Sequence, residues 1–165
     1  QQGKGGFLRE IPISQLGEDK QEEMSKNLER YSLYEAYEVR QVLETKAMDL
    51  IVRNATDSDL DEIETAYQTM LLRFAETNTT TGEFELHQLY AKKTGSVFME
   101  QTLNIVLSTI LEMMHTTSHN VMDMHQAEEE KADHRRIIDA LHKRDSSAAQ
   151  QAMYDHIQHT LDILQ

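Results

Sequence analysis

Tyr31-Ser-Leu-Tyr-Glu-Ala-Tyr-Glu-Val-Arg-Gln-Val-Leu-Glu-Thr-Lys-Ala-Met-Asp-Leu-Ile-Val-Arg-Asn54 contains neither glycine nor proline. Leu33, Tyr37, Val39, Leu43, Ala47, Leu50 and Ile51 recur at the spacing of one helix face. Arg40 falls mid-helix, beside that stripe. The residues downstream repeat the pattern. Thr56 with Asp59 is a capping pair, and a helix over 57–75 follows, with Ile63, Tyr67, Met70, Leu71 and Phe74 inward. Asn78 to Gly82 reads as a loop. A helix then carries Glu83 and His87 to about Lys93, and Gly95 closes it.

Residues 96–118 are apolar over a wide arc through Val97, Phe98, Leu103, Val106, Leu107, Ile110, Leu111 and Met114. The arc predicts the longest buried helix at the centre of the fold. Thr116-Thr117-Ser118 predicts a break or a bend. A helix over 120–143 follows, and Asp145 or Ser146 caps the last one. Upstream, 18–30 reads as a short separate helix, and 1–17 as a linker containing Pro12. No segment alternates with period two. The expectation is an all-α antiparallel bundle of six or seven helices spanning 18–165.

The 165 residues suit one domain with a sizeable core, and there is no cysteine, which fits a reducing compartment. Four of the six glycines precede residue 18, leaving the body nearly free of helix breakers. The net charge of −13 excludes nucleic-acid binding by bulk charge, which needs clustered Lys and Arg. No apolar run approaches the roughly 20 residues of a membrane span.

The chemistry concentrates in three helices. Glu83 and His87, four apart, share one helix face. His134 lies on the apolar face of Ile137, Ile138 and Leu141, and His156 on that of Met153 and Leu164. Taken singly, each histidine reads as an ordinary core residue. Taken together, three imidazoles and a carboxylate facing inward offer what a divalent metal requires. Glu112 with His115 is one Glu-x-x-His pair, where a di-iron bundle needs two. His115 and His119 flank the expected break and read as hinge or surface. His159, one turn beyond His156, is an alternative ligand or a neighbour of one. His125 and His142 read as boundary residues, and the nine methionines as core filler. Gly3-Lys-Gly-Gly-Phe7 lacks the residues of a phosphate loop.

Tyr37-Glu-Val-Arg40-Gln-Val-Leu-Glu44, Ala55-Thr-Asp-Ser-Asp-Leu60, Phe84-Glu-Leu-His87 with Thr94-Gly-Ser96, Asp133-His-Arg-Arg-Ile-Ile-Asp-Ala140 and Met153-Tyr-Asp-His156 occur in an informative order. Together they resemble the FCD domain, the effector-binding half of FadR-subfamily GntR-type bacterial transcription regulators. Gly3 to Phe7 is similar to the last strand of that family's winged helix-turn-helix, so the resemblance implies a DNA-binding domain upstream of this chain. It implies a divalent ion of the Zn, Ni or Mn class on Glu83, His87, His134 and His156, with Glu83 standing where the family usually has Asp. It implies a small organic-acid effector at or beside the metal, touched by Arg40. It implies a cytoplasmic homodimer that is not an enzyme and meets DNA only through the other domain. The residues themselves leave two alternatives: a metal-dependent hydrolase, and a dimerisation module with a structural metal.

Overall fold

The computed structural model describes residues 18–77, 81–117 and 124–164. The expected linker at 1–17, most of the expected loop before Gly82, and Ser118 lie outside them, while Thr116 and Thr117 of the expected break end the fourth helix. Among the described residues every element is helical: α1 Glu18–Asn54, α2 Asp57–Thr77, α3 Thr81–Lys93, α4 Val97–Thr117, α5 Met124–His142 and α6 Ser146–Leu164. They form the antiparallel bundle that the patterning predicts. α1 lies along α6 and α4, α5 along α6 and α2, and short α3 bridges α2 and α4.

The helix ends follow their sequence signals. Asp59 N donates to Thr56 Oγ1 at 3.2 Å while Thr56 N donates back to Asp59 Oδ2 at 2.8 Å, a reciprocal capping box. Gly95 closes α3 at φ 69°, and Asn54 Nδ2 donates to the adjacent Thr94 carbonyl at 2.8 Å. Asp145 caps α6 by accepting from Ala148 N at 3.0 Å. Arg144, at φ 56°, holds the left-handed position after α5. Its guanidinium donates to the Ala55 carbonyl at 2.6 Å and to Asp57 at 2.7 Å, tying the turn between α1 and α2 to the turn between α5 and α6.

Four expectations are corrected. Residues 18–54 form one continuous 37-residue helix, so the longest helix is α1 and not the one near 97–114. The separate short helix at 18–30 is its first part. α4 buries Leu103, Leu107 and Ile110 but exposes Val97, Phe98 and Ile105. A wide apolar arc states what a helix could bury, while its neighbours decide what it does bury. Val39 also faces outward, and the inner face of α1 is built instead from Leu33, Tyr37, Arg40, Gln41, Glu44, Met48 and Ile51.

Leu107 is fully enclosed, so Leu107→Ala should cost about 2–5 kcal/mol by the usual core truncation. Thr56→Ala should cost about 1 kcal/mol by loss of the cap, and Thr56→Ser much less. Urea unfolding of the three variants beside the parent checks both values.

Candidate metal centre

α3 delivers two donors because its start is pressed against α2. A Cβ on Gly82 would lie 3.0 Å from Met70 Cγ and 3.2 Å from Met70 Cα, so any larger residue would have to push Met70 back. Glu83 follows at once, and one helical turn carries His87 to the same face. α5 contributes His134 beside core residues Ile137 and Ile138, and α6 contributes His156 between Met153 and Ile157. All four side chains are buried. One donor atom from each can be chosen so that the four lie within 4.8 Å of one another.

The rings pack edge and face. Centroids are 5.1 Å apart for His87 and His134, 5.2 Å for His87 and His156, and 4.5 Å for His134 and His156. His87 Nε2 stands 3.2 Å from His156 Nε2. Glu83 Oε1 is 3.6 Å from the first nitrogen and 3.8 Å from the second.

Three observations test whether this set suits a cation. His134 Nε2 is buried with no hydrogen-bond partner, a costly state for a polar atom unless something else satisfies it. His87 Nδ1 lies against the Glu44 carboxylate. Burial raises the pKa of Glu44, and the Arg40 guanidinium beside it opposes that shift; as the ionised partner of Arg40 the carboxylate only accepts, so the ring proton belongs on Nδ1 and the Nε2 lone pair points inward. Two nitrogens on a tetrahedral ion, at the usual zinc–nitrogen length, stand about 3.3 Å apart, close to the separation of His87 and His156. Three imidazoles with one carboxylate are also a donor set that Zn, Ni or Mn accepts.

Electrostatics agree for His87 and His134. Burial, with Arg40 adding to it, holds His87 well below the ordinary histidine range. Burial with the neighbouring His156 and His87 does the same for His134. Both therefore stay neutral, the form that ligates. Burial also opposes charge on His156, but Glu130, Asp133 and Glu83 outweigh it and raise its pKa. Burial works against the Glu83 anion as well, yet Arg40, His87 and His156 bring its pKa below the usual carboxylate value.

Arg40 is the buried Lys or Arg side chain among the described residues, at 1% exposure. Nε donates to Glu44 Oε1 at 2.6 Å and Nη2 to Glu83 Oε1 at 3.2 Å. The guanidinium lies over the rings of Tyr37 and Phe84, 5.2 and 5.4 Å from their centroids. The residue expected to meet an anion thus already grips the carboxylate of the donor set.

The structure adds residues that sequence reasoning passed over. Glu44 backs His87. The Tyr90 hydroxyl lies 3.4 Å from His134 Nδ1. Asp133 Oδ2 lies 3.7 Å from His156 Nδ1, too long for a hydrogen bond. That oxygen is bonded instead to His159 Nδ1 at 2.9 Å, and Oδ1 accepts from Arg136. Glu130, one turn before His134, is pushed up to about 8 by burial and by Glu83. The available signal was register: Glu44 follows Arg40 by four, Tyr90 follows His87 by three, and Glu130 precedes His134 by four. His159 is thus a neighbour of the donor set through Asp133. Glu112 and His142 are exposed and apart from it. The side chains of His115, His119 and His125 lie outside the described residues.

Comparison with known proteins points one way. A family model described as the FCD domain matches residues 35–159. The HTH-type transcriptional regulator LutR of Bacillus subtilis (strain 168) is 24% identical over 168 residues, covering 99% of this chain and 75% of that protein. A solved structure of Streptococcus agalactiae GntR matches with TM-score 0.69 at 20% identity, over 92% of this chain and 64% of that one. E. coli McbR/YncC matches with TM-score 0.67 at 15% identity, over 79% and 62%. The chain therefore spans under two thirds of either solved structure, and at these identities the likeness is one of fold.

A pH dependence follows from His134. Its pKa is lowered on folding, so the unfolded chain takes up a proton below about pH 6.5 that the native chain does not. Stability linked to this ring is present above that pH and is lost as pH falls, by at most roughly 1.4 kcal/mol per pH unit while the ring stays neutral. Glu130 and His156, whose pKa values are raised, act with the opposite sign. Comparison with His134→Asn removes their common contribution. In chelator-treated protein, the stability of the parent relative to this variant should decline from pH 7.5 to pH 5.5, as read by urea midpoints.

Proposed function

From the premise that the chain belongs to the FCD domain family, we propose that it is the ligand-sensing part of a GntR-type transcription regulator of the FadR subfamily. In this reading it binds a small organic acid at or beside a buried divalent ion held by Glu83, His87, His134 and His156. It acts in the cytoplasm as a homodimer, is not an enzyme, and controls DNA binding by a winged helix-turn-helix domain upstream of Glu18. The observation that carries the reading is the buried quartet with the orphaned His134 Nε2. Among the described residues no helix is long and apolar enough to cross a membrane.

Charge supports an anionic effector. With the imidazoles neutral, Arg40 opposes Glu44 and Glu83, so the enclosed group carries one net negative charge. A divalent ion would leave it with one net positive charge, which one carboxylate neutralises. The ion supplies an open coordination position when its geometry is octahedral. The chain supplies the rest: neutral imidazoles that leave the ion its charge, enclosure that strengthens attraction to an anion, and Arg40. An incoming carboxylate shares Arg40 with Glu83, so effector binding reaches α1 and α3 together.

Purified protein should contain close to one equivalent of Zn, Ni or Mn by elemental analysis, and His134→Ala should lose it. Metal at 100-fold excess over Kd should stabilise the parent by about 2.7 kcal/mol, and His134→Ala far less. Calorimetry with short carboxylates and sugar acids should show saturable binding to the loaded protein and none after chelation. Equal affinity in both states would make the metal structural, and turnover of the acid would make the protein an enzyme. Sedimentation equilibrium should give a dimer.

A further inference from the structure

We propose that Glu44 is the positioning residue of the metal centre: it fixes His87 as an Nε2 donor and, through Arg40, also places Glu83. This rests on the metal reading above and goes beyond it, since Glu44 is no ligand. The inner face of α1 carries Arg40 and Glu44 one turn apart, and both are buried at 1% exposure. The two oxygens of Glu44 have separate tasks. Oε1 accepts from Arg40 Nε at 2.6 Å, and Oε2 takes His87 Nδ1. Arg40 then reaches on through Nη2 to Glu83 Oε1 at 3.2 Å. One carboxylate on α1 thereby controls both donors of α3.

The three imidazoles differ in how they are backed. His134 has a hydroxyl at 3.4 Å, and His156 has a carboxylate at 3.7 Å. His87 alone of the three has a carboxylate in close contact. A carboxylate behind an imidazole selects the Nδ1–H tautomer, orients the ring and strengthens its outward nitrogen as a ligand. Without Glu44, His87 is free to carry its proton on Nε2, where it blocks ligation. Arg40, losing one partner, is left to draw Glu83 away from the donors. A simpler role for Glu44, as counter-ion of Arg40 and nothing more, predicts the pull on Glu83 but not the change of tautomer.

The test uses the whole chain with Zn(II) as the probe. Zinc affinity is measured by competition with a chromophoric chelator for the parent, Glu44→Gln and Glu44→Asp. The His87 tautomer is read in metal-free protein by long-range 1H–15N correlation. The parent should show Nδ1–H at His87. Glu44→Gln should lose the single tautomer and bind zinc 10- to 100-fold more weakly, and Glu44→Asp should fall between. Folding is checked by circular dichroism. If Glu44→Gln does not fold, Glu44→Asp carries the same two measurements. A folded variant with parental zinc affinity and an unchanged tautomer overturns the proposal and leaves the metal reading standing. A parent that binds no zinc overturns both.

Discussion

A guanidinium with almost no access to water stands between two carboxylates in the middle of this bundle. Burying an unpaired charge is prohibitive, and burying a paired one is tolerable only when its hydrogen bonds are made. Arg40 meets that condition with Glu44 on its own helix and Glu83 on α3. The requirement fixes the rotation of α1, because Arg40 and Glu44 must both face inward. It fixes the height of α3, because Glu83 must reach Nη2. The aromatic rings of Tyr37 and Phe84 close over the guanidinium and lower the local dielectric, which strengthens each of these contacts.

The donor set depends on the same placement. α3 can present His87 only at the height Arg40 imposes through Glu83, and Glu44 then governs the ring. The other two imidazoles arrive on different authority. His134 and His156 are set by ordinary apolar packing of α5 and α6, through Ile137, Ile138, Met153 and Ile157. Polar ties keep those helices in register with the rest. Arg135 reaches Glu64 of α2 at 2.8 Å, and Gln41 of α1 donates to the Tyr154 carbonyl of α6 at 3.1 Å. The centre is therefore half electrostatic and half apolar in origin. A change in the charge on Arg40 or Glu83 has a direct mechanical route into α1 and α3.

Helix content, the capping box at Thr56, the turn at Gly95 and the inward faces of Glu83, His87, His134 and His156 were all legible in the sequence. Each depends on residues within a turn or two of one another, where spacing alone fixes which side chains share a face. What the sequence could not state is which face of a helix its neighbours cover. α4 is apolar over a wide arc, yet Phe98 is 81% exposed. Val39 reads as core on α1 but lies outside, while Arg40, read only as lying beside the apolar stripe, and Glu44, to which periodicity gives no inward place, are enclosed. Periodicity weighs a polar residue as solvent-seeking, and only a partner brought from 43 residues away reverses that. Glu44 meets His87, and Arg40 meets Glu83, by packing α1 against α3. Local spacing thus determined the helices and the donors they carry. The tertiary structure decided which charges are buried, because their burial is stable only where helices distant in sequence supply the opposite charge.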